Sequence, residues 1–409
     1  MLSESKLTPL FGILVFLILA TYGWNHRVAG GLILLLVLTS LVVLFTQPRP
    51  MHSQDSDRLV KLSIVSFISL ALGVVISLAI HQQWEMAGRE LDNPARFLLV
   101  IPIFLAMLRM DLNPKYLVWG LAAGAVLTGL MAYSQYNGTN VSLSHNHHIP
   151  FGNVATSIAI LSALALWQLG DKGKVQLFLA VTAFGFGFLA SVLSGARGGW
   201  ISVVTFFFVI LLIYRSPVRS KVLIVLISCV GLFLLNSLSG GYIVTRVLAG
   251  YQDVACFIAS EGDACGSLGA RLWMWQVAVT HFLEHPVIGS GLNTAEALLR
   301  EATRAGVIPV GISYGHFHND FIEMASAQGL VGIMSYLGLY LIPIYIAYSL
   351  SKSVSAAPWS VLITLNAVLF MEYGLSQASL THASSGTFLA FLMAVLMGYG
   401  LSSSMDRAR

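Results

Sequence analysis

Residues Gly30 to Phe45 read GGLILLLVLTSLVVLF, sixteen positions without a charged side chain. A helix needs about 20 mostly apolar residues to cross a hydrocarbon core. With its flanks, this stretch is long enough. A similar run, Leu7 to Tyr22, precedes it by a few residues and has no small-residue cleavage site, so it reads as a retained helix and not as a signal peptide. Runs of this kind recur to the end of the 409 residues, of which 56% are hydrophobic and 10% charged, against about 25% charged in an ordinary soluble domain. The chain is therefore read as an all-α polytopic membrane protein.

Dividing it at polar and Pro/Gly clusters gives about 12 transmembrane helices: 7–24, 28–46, 60–80, 96–109, 115–133, 152–169, 174–193, 198–214, 221–238, 329–350, 358–377 and 383–402. The domain reading follows: helices 1–9 in residues 1–238, one long loop with short helices and the active site in 239–328, and helices 10–12 in 329–409. With the N-terminus inside, fourteen of the 22 Lys and Arg fall on the inner side, among them Arg49, Lys115 and Lys221. The positive-inside bias then makes both termini cytoplasmic and the long loop periplasmic. Ten of the 11 histidines fall on the outer side, His52 being the exception. The net charge of +4 gives no case for nucleic acid.

Within the loop, Leu272, Trp275, Val279 and Phe282 recur at helical spacing, which predicts an amphipathic helix over 268–283 lying on the membrane surface with its tryptophans at headgroup depth. A second short helix is expected over 294–305. Cys256 and Cys265 lie close together in this loop, so an oxidising compartment predicts a disulfide, with two free thiols as the alternative.

The densest polar constellation is Gly315-His316-Phe317-His318-Asn319-Asp320-Phe321-Ile322-Glu323. At a helix N-terminus the dipole disfavours a protonated imidazole and leaves a neutral one competent as a general base. His316 and Asp320 are four apart and would share a helical face; an interfacial cap is the alternative reading. Arg197 stands between two apolar spans beside Gly195, Gly198 and Gly199, where a guanidinium either snorkels to water or meets an anion such as phosphate. The two spans flanking it are expected to form a tight hairpin. Arg271 suits either lipid headgroups or an anionic ligand, and Arg246 is a weaker candidate. His145-Asn146-His147-His148 lacks supporting carboxylates or cysteines, so no metal is expected.

At these residues the chain resembles the O-antigen ligase and polymerase superfamily of membrane glycosyltransferases. The matching pieces are Ser194-Gly195-Ala196-Arg197-Gly198-Gly199-Trp200, Gly269-Ala270-Arg271-Leu272-Trp273 leading into His285-Pro286-Val287-Ile288-Gly289-Ser290-Gly291, and His316-Phe317-His318-Asn319-Asp320 with Gly329-Leu330-Val331-Gly332. The resemblance implies a GT-C type helical fold in the bacterial inner membrane, a periplasmic site, an undecaprenyl pyrophosphate-linked glycan donor and inverting transfer without metal or other cofactor. In the ligase branch the acceptor is lipid A-core. It further implies that His318 is the catalytic histidine, with His316 the alternative, that Arg197 and Arg271 bind pyrophosphate, and that Asn319, Asp320 and Arg246 support them. An O-antigen polymerase or a protein O-oligosaccharyltransferase would use the same donor. A transporter of the lipid-linked glycan is the reading of a different class, disfavoured because the spans carry almost no charge apart from Glu372.

Overall fold

A computed structural model describes residues 4–48, 54–145, 147–171, 173–196, 198–213, 242–259, 264–310, 312 and 314–405. All regular structure among them is helical. The helices are α1 (Glu4–Tyr22), α2 (His26–Thr46), α3 (Gln54–His81), α4 (Asp92–Leu99), α5 (Ile101–Met107), α6 (Lys115–Gln135), α7 (His148–Leu169), α8 (Lys174–Ser194), α9 (Gly198–Ile213), α10 (Tyr242–Ala259), α11 (Gly266–Glu284), α12 (Ala295–Arg304), α13 (Asp320–Leu350), α14 (Ala357–Ser376) and α15 (Ala383–Met405). Eight of these, α2, α3, α6, α7, α8, α13, α14 and α15, are long and apolar enough to cross a membrane, and α1 and α9 carry shorter apolar segments. The protein is a multi-pass membrane protein.

Helices in lipid gain little from the hydrophobic effect and associate where small residues let backbones approach. Gly124 of α6 faces the Leu19 carbonyl of α1, Gly129 faces the Phe186 carbonyl of α8, and Gly187 of α8 faces Ala159 of α7. A side chain at any of these would push the pair apart. The centre is α7, the most enclosed of the spanning helices, surrounded by α6, α8, α9, α14 and α15.

Three expectations change, and a fourth falls where the structure is not described. The fourth span is two short helices separated at Val100, because Pro102 has no N–H to give the Leu98 carbonyl. The ninth span, 221–238, lies outside the described residues. α8 and α9 turn sharply at Gly195, whose φ is +69°, but they do not run as a tight hairpin. α9 packs mainly on α7 and α14, meeting α8 where Phe206 stacks on Phe184. The tenth span begins at Asp320 and is broken at Gly329 (φ 62°, ψ −144°).

That break is filled by another segment. A continuous helix would bond Leu330 N–H to the Ser326 carbonyl and Val331 N–H to that of Ala327. Here the Ser326 and Ala327 carbonyls accept from Ser290 and Gly291 N–H (2.9 and 3.0 Å), while Leu330 and Val331 N–H donate to the Pro286 and Val287 carbonyls (2.8 and 3.4 Å). The loop His285–Gly291 thus takes over two rungs of the α13 ladder. Gly289 and Gly329, both at positive φ, lie backbone to backbone at the crossing, with no room for a Cβ on either. From α3, His81 bonds the Ile288 carbonyl (3.1 Å) and Gln83 accepts from Leu292 N–H (3.0 Å).

The segment 264–317 has a core of its own, in which Ala270, Trp273, Met274 and Val277 of α11 pack with Leu299, Ile308, Ile312 and Phe317. Its buried face is one step round from the predicted stripe. Trp273 is buried edge-on against Phe257, and Trp275 donates to the Phe317 carbonyl (2.9 Å). A disulfide joins Cys256 to Cys265, as the spacing predicts.

Candidate functional site

The site is built at the start of α13. Asn319 is its N-cap: Oδ1 accepts from Ile322 N–H (3.1 Å), and Nδ2 donates to the Leu375 carbonyl (3.1 Å), tying the cap to the end of α14. Asp320, fully buried, accepts from Leu380 N–H through both oxygens (3.1 and 3.2 Å). The helix begins here, so His316 precedes it and the expected pairing of His316 with Asp320 on one face does not form.

Phe317 anchors the two histidines that flank it. Its ring is buried in the outer core, its N–H donates to Glu323 Oε2 (2.8 Å), and its carbonyl accepts from Trp275. His318 then adopts φ +53°, the left-handed region that a non-glycine residue occupies only when its surroundings impose it. This turn brings the His316 and His318 rings together edge-to-face at 4.2 Å, with Tyr314 against His318 at 5.1 Å.

Hydrogen bonds assign the tautomers. His318 N–H lies 3.3 Å from His316 Nδ1 and donates to it, so the lone pair of His316 at Nδ1 is occupied and Nε2 carries the proton. His318 Nδ1 lies 2.8 Å from Gln377 Oε1, an acceptor only, so its proton is on Nδ1, and among the described residues nothing bonds its Nε2 lone pair. Burial holds the pKa of His318 below the ordinary 6.5; the Gln377 bond opposes this, and the charge of Arg271 adds to the lowering. Burial and the neighbouring histidines bring His316 to about 4. Both imidazoles are neutral near pH 7.

Arg271, on α11, is drawn down by burial and faces Tyr314 and His318 electrostatically. Among the described residues it has no carboxylate in ion-pair range. Arg197 lies outside the described residues. Of its neighbours, Ala196 packs on Gly152 of α7, and Gly198 abuts Ser376, the residue before Gln377. Arg246 falls in α10 with its side chain outside the described residues; α10 reaches the site through Asp253, which accepts from Leu268 N–H at the start of α11 (2.9 Å).

Two residues not singled out from the sequence belong here. Gln377 follows α14, and His382 precedes α15; Gln377 Nε2 is 3.0 Å from His382 Nε2. The segment 145–148 divides. His145 is buried against His26 and Phe151, where burial brings its pKa to about 3. His147 caps α7 and faces His382 across 6.3 Å. The expected gathering of histidines on the outer side is the sequence signal that could have found His382. Among the described residues no three His, Cys, Asp or Glu side chains converge closely enough to hold a metal ion.

Residues 178–337 match a family model described as O-antigen ligase. Over 92 residues, 22% of each chain, the protein is 33% identical to the O-antigen ligase of Escherichia coli strain K12. It is also 27% identical over 405 residues to an uncharacterized protein of Haemophilus influenzae, covering 95% of this chain and 98% of that one. The resemblance read from the sequence thus holds over a stretch that runs from α8 into α13 and contains Arg197, Arg246, Arg271, His316 and His318. It points to a membrane glycosyltransferase of the ligase and polymerase type. Gln377, His382 and His147 fall outside it.

Proposed function

We propose that the protein is an O-antigen ligase of the bacterial inner membrane, transferring a glycan from undecaprenyl pyrophosphate to an outer-core sugar of lipid A-core on the periplasmic side, with both termini cytoplasmic. The observation that carries this reading is a neutral His318 whose Nε2 lone pair has no partner among the described residues, under the charge of Arg271, which has no carboxylate in ion-pair range among them. An acceptor hydroxyl needs a base within hydrogen-bond reach, and a sugar pyrophosphate needs its developing charge neutralised. His318 Nε2 takes the proton as the acceptor oxygen bonds to the anomeric carbon. The anomeric carbon–oxygen bond breaks on the opposite face, inverting the centre and releasing undecaprenyl pyrophosphate. Arg271 and Arg197 hold its charge through paired donors, which a lysine cannot present.

The tautomers favour His318 over His316 as the base, because the lone pair of His316 is already spent on the His318 N–H. The polar groups crowd one end of the helical array, around the starts of α7, α13 and α15, which favours chemistry at one surface over passage through the membrane. Asn319 and Asp320 support the site by fixing the segments on either side of it, and no metal is required by the scheme.

Reconstitution tests this. The purified protein, given lipid-linked glycan and lipid A-core in EDTA, is expected to produce glycosylated lipid A-core. Product formed only with a second lipid-linked glycan or a protein as acceptor identifies a polymerase or an oligosaccharyltransferase instead.

A further inference from the structure

The free Nε2 of His318 depends on which way round one amide lies. A glutamine side chain presents either its oxygen or its NH2 to a neighbour, and the choice settles where a facing imidazole keeps its proton. Facing oxygen, Nδ1 carries the proton and Nε2 is free; facing NH2, the reverse holds. Gln377 is 4% exposed, its N–H is bonded to the Tyr373 carbonyl (3.0 Å), and its amide lies between His318 Nδ1 (2.8 Å) and His382 Nε2 (3.0 Å). The three side chains form a single line of hydrogen bonds.

We propose that Gln377 is a positioning residue that fixes His318 in the Nδ1–H tautomer, and that His382 keeps the Gln377 amide in the required orientation by accepting from its NH2. This rests on reading His318 as the base. The His382 end works as an acceptor only while that imidazole is neutral with its proton on Nδ1. Burial, His147 and His318 together bring its pKa to about 4, which keeps the ring neutral. The line draws on the ends of three spanning helices, α13, α14 and α15, so the state of one nitrogen reports their mutual placement. A glutamine that merely filled space would have no influence on the proton of His318.

The test uses the full chain labelled with 15N-histidine in lipid nanodiscs, the His318 signals being assigned by their loss in His318→Ala. Wild type is expected to show His318 protonated at Nδ1. Gln377→Leu removes the acceptor and should abolish that bias, with turnover falling roughly 10²-fold at unchanged donor affinity. Gln377→Glu restores an acceptor, recovering the tautomer and most of the turnover. Its carboxylate favours the imidazolium, so the acid limb of the pH–rate profile should move upward. His382→Ala should weaken the bias with a smaller loss than Gln377→Leu. Finding His318 protonated at Nε2 in wild type, or an unchanged tautomer and pH profile in Gln377→Leu and Gln377→Glu, overturns the proposal. The tautomer is read without turnover and so reports on Gln377 alone, whereas normal turnover of His318→Ala would remove the base and leave the tautomer result standing.

Discussion

The first turn of α13 and its break nine residues later are held in opposite ways. At Asn319 and Asp320 the ties to other segments are side chains: the cap to Leu375, the carboxylate to Leu380, and Glu323 back to Phe317. At Gly329 the ties are backbone to backbone, and the side chain is absent because there is no space for one. The first arrangement sets chemistry that a single substitution can remove without disturbing the fold. The second sets geometry that survives most substitutions and fails at two glycines. Turnover and stability should therefore separate along one helix.

The sharpest separation is expected from His318→Ala. Loss of a general base typically lowers the rate about 10²–10⁴-fold, equivalent to roughly 3–5 kcal/mol in the barrier, while donor binding, measured separately, stays near wild type. The base works only when neutral, so activity is retained above the His318 pKa and lost as pH falls through it. Because that pKa is held below 6.5, the acid limb in wild type should lie on the acid side of an ordinary imidazole titration. Normal turnover by His318→Ala with a dead His316→Ala would reverse the two histidines.

At the break, Gly329→Ala places a Cβ 2.5 Å from the Val287 carbonyl carbon and 2.7 Å from Gly289 N, at a φ of +62°. Backbone strain of this kind costs about 1–3 kcal/mol before any displacement, so thermal unfolding should move down by several degrees and turnover should fall with it. An unshifted melting temperature would show that the crossing is looser than described.

Replacing Cys256 and Cys265 together by serine should cost about 2–3 kcal/mol of stability in the loop, the chain-entropy value for a closed segment of this length. The loss should be local and visible as faster proteolysis between α10 and α11, with turnover retained in the protein that remains folded. Complete loss of turnover with an intact loop would give the disulfide a part in the chemistry. The smallest effect is expected from Arg271→Lys, which keeps the charge and loses the paired donors. Roughly tenfold weaker turnover, about 1.4 kcal/mol, should leave stability unchanged, and a wild-type rate would make Arg271 a headgroup contact.

How far the sequence anticipates this molecule depends on the range over which each feature is decided. Hydropathy is local, and it places α2, α6 and α8 to within about two residues. The helix over Ala295–Arg304 follows from its own run of Glu296, Arg300, Glu301 and Arg304. The stripe on α11 is misplaced because Leu272, Trp275, Val279 and Phe282 satisfy a 3.6-residue period as well as Trp273, Met274 and Val277 do. Only the partners, Phe257, Leu299, Ile308 and Phe317 among them, decide between the two. His316 and His318 stand out as neighbours in the chain, but Gln377 and His382 lie about sixty residues away and arrive through the packing of α14 and α15. The motif at 285–291 reads as a turn, and nothing near it announces that its N–H groups are destined for carbonyls of another helix.

That shared ladder also constrains the order of manufacture. Residues 286–291 leave the ribosome about 40 residues before 326–331, a delay of roughly 2–8 s at ordinary elongation rates, and Gln377 and His382 come later still. Through that interval the segment 286–291 must wait, with Ser290 and Gly291 N–H unmatched, until α13 has formed and bent. The proposed catalytic centre is consequently among the last parts of the protein to exist. An insertion machinery that released the nascent chain too early would leave well-made helices and no enzyme.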